Sequence, residues 1–285
     1  MPSPDSRFTP RRTRITMRFE PLLVLLGLAV ACSLPLAHEA HAANEEGAGI
    51  ATVLITGANR GIGFEFARQY AERGWRVIAT ARNPAAAIDL QALATQHQKV
   101  SIEQLDVTNP VQITALAEKY ANEPVDVLLL NAAKGPQQPT ATAPLQRQNF
   151  DVAEAYFATN AIGPMRVAQA FMKNVKLSGR KQVIAISSDS GSFVAGSQLP
   201  ILYHYKASKT ALNMYIHTLS FEARKRGVTV IMLHPGMVAT NAQTARLPGA
   251  MPTADSVDQM LDVIDNLTPA DNGRFMDYRG ETMPW

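Results

Sequence analysis

Short unbroken apolar runs alternate along this chain with longer stretches whose apolar positions recur every three or four residues. The runs at 51–56 (ATVLIT), 75–80, 100–105, 125–130 (VDVLLL), 182–187 and 228–233 read as strands. Their lack of a regular polar alternation suits strands buried on both faces. Residues 62–73, 84–96, 109–120, 205–226 and 253–267 read as helices, and 150–176 reads as one long helix kinked at Gly163-Pro164. Gly74 can end the first helix, while Asn109 can cap the third with Pro110 at its first position. Residues 131–148, rich in Pro, Gln and Thr, read as a loop, and 273–277 as a last strand. Strands alternating with helices predict an α/β fold in which a parallel sheet of about seven strands carries helices on both faces.

The first 42 residues change the picture. Basic residues at 11–18 precede an apolar run from Leu22 to Leu36, and Ala40-His41-Ala42 supplies small residues at an export-cleavage spacing. The run is short for a membrane span, which needs roughly 20 apolar residues, and the pattern is that of a signal peptide. Residues 1–42 are therefore expected to be a leader cleaved near Ala42, 43–49 a linker, and 50–285 the folded domain. Export to the periplasm is the expectation; a cytoplasmic or membrane-tethered protein is the alternative. Arg11-Arg12 suggests a twin-arginine signal, Ala29-Val30-Ala31-Cys32 a lipid-attachment site, and Met17 an alternative first residue. The leader also holds five arginines against three acids, so of the total charge of +3 only +1 belongs to the body. No nucleic-acid footprint survives there. The sole cysteine, Cys32, lies in the leader too, leaving the body without disulfide, thiol nucleophile or thiolate metal site.

The chemistry centres on Tyr205-Lys206-Ala207-Ser208-Lys209, at the start of a helix whose Ala207, Ala211, Tyr215 and Leu219 repeat at helical spacing. Positions four apart share a helix face, so the Tyr205 hydroxyl and the Lys209 ammonium can meet in one site. A neighbouring cation would favour the phenolate and bring tyrosine closer to general acid–base use. Any helix surface can carry such a pair, so the rest of the chain has to support it. At the end of the first strand stands Thr56-Gly57-Ala58-Asn59-Arg60-Gly61-Ile62-Gly63. Glycines in this place allow a tight turn and close approach of a pyrophosphate, which the following helix N-terminus attracts.

The Gly-x-x-x-Gly-x-Gly spacing resembles the short-chain dehydrogenase/reductase family. Further matches follow in family order: Asp106-Val107 after the third strand, Asn131-Ala132-Ala133 after the fourth with Ala133 in place of a glycine, and Asn160 in the long helix. Ser187-Ser188 then ends the fifth strand, Tyr205 and Lys209 follow, and Pro235-Gly236, Val238 and Thr240 come after the sixth. Gly-Ala-Asn-Arg-Gly-Ile-Gly, the long Ser-to-Tyr gap, Lys-Ala-Ser-Lys-Thr-Ala-Leu-Asn and the terminal Pro-Trp resemble the C-factor-like and sniffer-like carbonyl-reductase branch.

The resemblance implies a Rossmann-type doubly wound sheet and reversible hydride transfer between a nicotinamide and a carbonyl or alcohol carbon. Tyr205 would be the general acid/base, Ser188 would hydrogen-bond the reacting oxygen, Lys209 would hold the ribose and depress the tyrosine pKa, and Asn160 would anchor a proton-relay water. Gly57, Asn59, Arg60, Gly61, Ile62, Gly63, Arg82, Asp106, Val107, Asn131, Ala132, Pro235, Gly236, Val238 and Thr240 would line the cofactor, joined by Tyr205 and Lys209. Arg60 and Arg82, with no carboxylate between Thr80 and Ala87, imply NADP(H) over NAD(H). Among four nearby serines, Ser188 is preferred because it leaves the buried run Val183–Ile186 directly, although Ser192 has the commoner spacing before Tyr205. The family also implies a small-molecule carbonyl or alcohol substrate and a homodimer or homotetramer. A nucleotide-binding regulatory or signalling protein of the same fold, and isomerase or dehydratase chemistry, are the competing readings. His204 reads as a helix-cap or mouth residue. His234 fills a turn with no metal-ligand company, and no metal site is expected. Met237 and Met251 are candidates for a substrate mouth.

Overall fold

A computed structural model of the chain describes residues 49–136 and 140–285; the expected leader, its cleavage site and Cys32 lie outside the described residues. Among the described residues, seven parallel strands form one sheet in the order β3-β2-β1-β4-β5-β6-β7. They are β1 (Thr52–Ile55), β2 (Arg76–Ala81), β3 (Val100–Gln104), β4 (Val127–Leu130), β5 (Gln182–Ile186), β6 (Thr229–His234) and β7 (Phe275–Asp277). The helices are α1 (Gly61–Glu72), α2 (Ile88–Gln96), α3 (Pro110–Lys119), α4 (Ala153–Phe157), α5 (Gly163–Leu177), α6 (Tyr203–Arg224) and α7 (Thr253–Asp265).

Strand side chains alternate between two cores because successive residues point to opposite faces. Val53, Ile55, Val127, Leu129, Ile184 and Ile231 pack with Phe66 and Tyr70 of α1 and Val257 and Leu261 of α7. Leu54, Leu128, Leu130, Val183 and Val230 pack on the other side with Ile113 of α3, Phe171 of α5 and Leu212 and Ile216 of α6. This is the doubly wound architecture. The strand order reverses between β1 and β4, which opens a crevice at the C-terminal strand ends, where such folds bind ligands.

Three expectations need correction. The long helix over 150–176 is broken: a 3-10 turn (Phe150–Val152), α4, a π turn (Ala158–Ile162) and then α5. Pro164 sits in the first turn of α5, where its missing N–H is tolerated. Gly163 lies so close to Val107 that a Cβ there would come within 2.9 Å of its Cγ2 and its carbonyl oxygen. The helix over 84–96 splits into a 3-10 turn (Pro84–Ala86) and α2, with buried Ala87 between them. Helix α6 starts two residues early, at Tyr203, after Leu202 in the left-handed region (φ 61°). A non-glycine residue there costs roughly 1–2 kcal/mol, and the Leu202 N–H donates to Ala141 O at 2.7 Å.

The stripe Ala207, Ala211, Tyr215 and Leu219 is not the buried face of α6. Ala207 is exposed and Tyr215 is 46% exposed. The side chains turned inward are Ser208, Lys209, Leu212, Asn213, Ile216, Ser220 and Ala223. Periodicity located the helix, but it does not mark the inner face, half of which is polar.

Candidate active site

At the end of β1 the turn is tied to the end of β4. The Thr56 hydroxyl accepts from the Asn131 N–H (2.9 Å) and the Ala132 N–H (3.0 Å), while Asn131 Nδ2 donates to the carbonyls of Thr56 (2.9 Å) and Gly57 (3.1 Å). Gly57 (φ 70°) and Gly61 (φ 57°) occupy the left-handed region that favours glycine. A Cβ on Gly63 would stand 2.3 Å from Gly57 O and 2.4 Å from Asn131 Nδ2. The start of α1 therefore lies directly against the turn, and its free N–H groups suit a phosphate. Ala133, where the family has glycine, is not in the left-handed region, so the alanine introduces no strain.

Around this turn the expected cofactor residues form a rim. Asn59 and Arg60 are exposed beside the half-buried Gly61 and Ile62, and Arg82 is exposed immediately after β2. Asp106 organises the turn after β3, its Oδ1 accepting from the Thr108 N–H (2.8 Å) and hydroxyl (2.7 Å). Val107 is buried next to it. Across the crevice, the exposed Thr240 would touch a Cβ on Gly61 at 3.6 Å. Pro235 and Val238 are buried, and Gly236 (φ 79°) is packed against the Tyr278 ring. Met251 pairs with Val238, and Met237 is 46% exposed at the outer edge.

The candidate catalytic groups gather where β5 and α6 meet. Ser188 follows β5, its hydroxyl donating to Asp189 Oδ1 at 2.9 Å and accepting from the Ser190 N–H at 3.1 Å. Burial pushes the Tyr205 phenol up to about 12; hydrogen bonding with Ser188 opposes the rise, and the Asp189 charge adds to it. Lys209 Nζ donates to Ile186 O at 2.8 Å and lies 5.9 Å from the Tyr205 ring centroid. Burial pushes this ammonium down to about 8. The expectation that Lys209 depresses the Tyr205 pKa is thus not met in this geometry: the phenol sits above its ordinary value. Desolvation outweighs a cation whose proton is already directed at a carbonyl.

Asn160, in the π turn, is fully buried, and both of its amide hydrogens are donated. Its Oδ1 accepts from the Lys134 N–H (2.6 Å), while Nδ2 donates to Lys134 O (3.0 Å) and Ser208 Oγ (2.9 Å). π turns of this kind recur at functional sites.

Ser192 is used elsewhere. Its hydroxyl donates to Pro284 O at 2.8 Å and accepts from the N–H groups of Val194 (3.1 Å) and Ala195 (2.8 Å), so it organises the loop after β5. His204 is buried between Phe150 and Tyr156, with ring centroids 5.1 and 5.9 Å away, and does not cap α6. His234 Nδ1 accepts from the Asp189 N–H at 3.2 Å, and burial holds its pKa below the usual range. Sequence reasoning missed Thr56, Ser208 and Asp189. Thr56 and Asp189 were visible as direct neighbours of the motifs, whereas Ser208's partner 48 residues away was not. Among the described residues no three His, Cys, Asp or Glu side chains converge as a metal site.

The family model described as short chain dehydrogenase matches residues 51–249. An uncharacterized oxidoreductase of Schizosaccharomyces pombe is 34% identical over 254 residues, covering 81% of this chain and 97% of that protein. Among solved structures, NADPH-bound carbonyl reductase from chicken fatty liver superposes with a TM-score of 0.74 at 31% identity, covering 83% of this chain and 99% of the other. The carbonyl reductase Sniffer of D. melanogaster gives 0.75 at 26% identity, covering 83% and 100%. The chain belongs to the short-chain dehydrogenase family of oxidoreductases, in its sniffer-like carbonyl-reductase branch.

Proposed function

We propose that the protein is an NADP(H)-dependent carbonyl reductase. The observation that carries this reading is the meeting of Ser188, Tyr205 and Lys209 at the C-terminal edge of a sheet whose first turn is shaped for a pyrophosphate. The cofactor fit rests on this chain's own residues. Gly57, Gly61 and Gly63 leave room for the phosphates, and Arg60 and Arg82 are exposed cations that join no ion pair among the described residues. Both suit a 2′-phosphate. The NADPH carried by the chicken fatty liver reductase supports the same choice.

Bound NADPH supplies the hydride. Tyr205 gives its phenolic proton to the oxygen of the reduced carbonyl, and a phenol pushed up to about 12 is fully protonated at neutral pH. Ser188 donates to the same oxygen as charge develops on it, its proton turning there from Asp189 Oδ1. Lys209, fixed by Ile186 O, keeps a positive charge behind the site when protonated. In the reverse direction Tyr205 must first lose its proton, so alcohol oxidation should speed up as pH rises.

Substrate screening tests the reading. NADPH oxidation with a panel of aldehydes, ketones and quinones should reveal turnover by the natural chain and none by Tyr205→Phe. Tight NADPH binding without turnover of any panel member would instead favour a regulatory protein of this fold. Export and self-association into a homodimer or homotetramer belong to the same proposal.

A further inference from the structure

The residue after the candidate catalytic serine is an acid, and its surroundings leave its charge uncompensated. Asp189 Oδ1 accepts from the hydroxyls of Ser188 (2.9 Å) and Ser190 (3.4 Å), both neutral. Its N–H is anchored on His234 Nδ1 at 3.2 Å, which fixes the residue at the lip of the sheet. The side chain is half-buried, and it joins no ion pair among the described residues. Nearby cations are engaged elsewhere. Lys209 donates to Ile186 O, Lys206 to Ser197 O and Leu199 O, and Lys134 lies over the Tyr156 ring at 5.4 Å. The Asp189 charge is felt at both Tyr205 and His234, so it reaches the place where a substrate carbonyl would be held.

We propose that Asp189 is a charge-selecting residue of the substrate site, admitting neutral and cationic carbonyl compounds and discriminating against anionic ones. The inference rests on the reductase reading and adds a substrate class to it. Asp189 hydrogen-bonds Ser188, the residue that would hold the reacting oxygen, so its charge acts directly on whatever carbonyl compound binds there. In a partly solvated cleft, a full charge on that compound should shift the preference for a cation over an anion by about tenfold to fiftyfold.

The test uses three aldehydes of similar size: benzaldehyde, 4-carboxybenzaldehyde and 4-(trimethylammonio)benzaldehyde. The quantity read is the ratio of kcat/KM for the cationic and anionic compounds, in the natural chain and in Asp189→Asn. The asparagine keeps an acceptor for Ser188 and removes the charge. Any effect on Ser188 alone would move all three rates together and leave the ratio unchanged. A ratio of about tenfold or more that collapses to within about threefold of unity in Asp189→Asn, and that shrinks with added salt, is the expected result. A ratio near unity in the natural chain, or one that persists in Asp189→Asn, overturns the proposal. If no aldehyde is turned over, the reductase reading fails separately. The affinities of the two charged aldehydes for the NADPH-loaded protein, measured by saturation-transfer NMR, then decide the charge claim, with equal affinities overturning it.

Discussion

Two serines four residues apart in one loop have different work, and their variants should separate cleanly. Ser188 interacts with the Tyr205 phenol, so Ser188→Ala should lower turnover by about 10²–10³ with NADPH binding retained, as loss of one donor to a developing oxyanion does. Ser192→Ala should leave turnover nearly unchanged. It removes three hydrogen bonds that hold the loop to Pro284 and to itself, and should destabilise the fold by about 1–3 kcal/mol, seen as a lower thermal midpoint. Turnover lost in Ser192→Ala and kept in Ser188→Ala would reverse the assignment. The phenol sets the pH behaviour. Reduction requires protonated Tyr205, whose pKa is pushed up to about 12, so the Tyr205-dependent rate should stay level through neutral pH. Alcohol oxidation requires the phenolate, so its rate should climb as pH rises. Rate profiles in the two directions check the sign, and a reduction rate already falling between pH 6 and 7 would refute it.

The crevice exists because the β1 turn, the end of β4 and the start of α1 share one volume. Gly63 lies where they touch, and Gly63→Ala would drive a Cβ into Gly57 O and Asn131 Nδ2. Overpacking of this kind costs about 1–3 kcal/mol. The variant should show both a lowered unfolding midpoint and weakened NADPH binding by fluorescence titration; unchanged binding would place the phosphates elsewhere. Arg60 at the start of α1 and Arg82 at the end of β2 should together set the choice of cofactor. Charged hydrogen bonds contribute about 1.5–3 kcal/mol each. Replacing either by alanine should lower the NADPH:NADH preference in kcat/KM by about tenfold to a hundredfold, with little change in the NADH values. Equal efficiency with the two cofactors in the natural chain would rule out NADP(H) selectivity.

At the scale of the whole molecule, the expected leader and the domain make a combined demand. Free dinucleotides are scarce outside the cytoplasm, so an exported reductase would have to leave folded and already loaded. Expression of a C-terminally tagged full-length chain should give a product cleaved near Ala42 in the periplasmic fraction. An uncleaved product retained in the cytoplasm would reject export. Among the described residues no helix is long and apolar enough to cross a membrane. The proposed homodimer or homotetramer should appear in sedimentation of the mature chain, where a lone monomer at micromolar concentration would exclude it.

By itself the sequence determined the sheet and the glycine turn, because both depend on short-range chemistry. Runs such as Val127–Leu130 are too apolar to lie anywhere but between two layers of helix, and Asn109 accepts from the N–H groups of Val111 and Gln112 as a local cap should. The order of the motifs likewise marked Ser188, Tyr205 and Lys209 as candidates. Tertiary structure alone decided which face of α6 turns inward. Lys209 and Asn213 are buried because Ile186 O accepts from Lys209 Nζ, Gly191 O accepts from Asn213 Nδ2 and the Ser187 hydroxyl donates to Asn213 Oδ1, and apolar periodicity carries no trace of such partners. The π turn depends on Asn160 meeting Lys134 and Ser208 from distant parts of the chain, so local propensity favoured an unbroken helix instead. The direction of the Tyr205 shift was decided the same way. A lysine four residues on can be read from the sequence, but the desolvation that outweighs it exists only once β5, α4 and α6 close around the phenol.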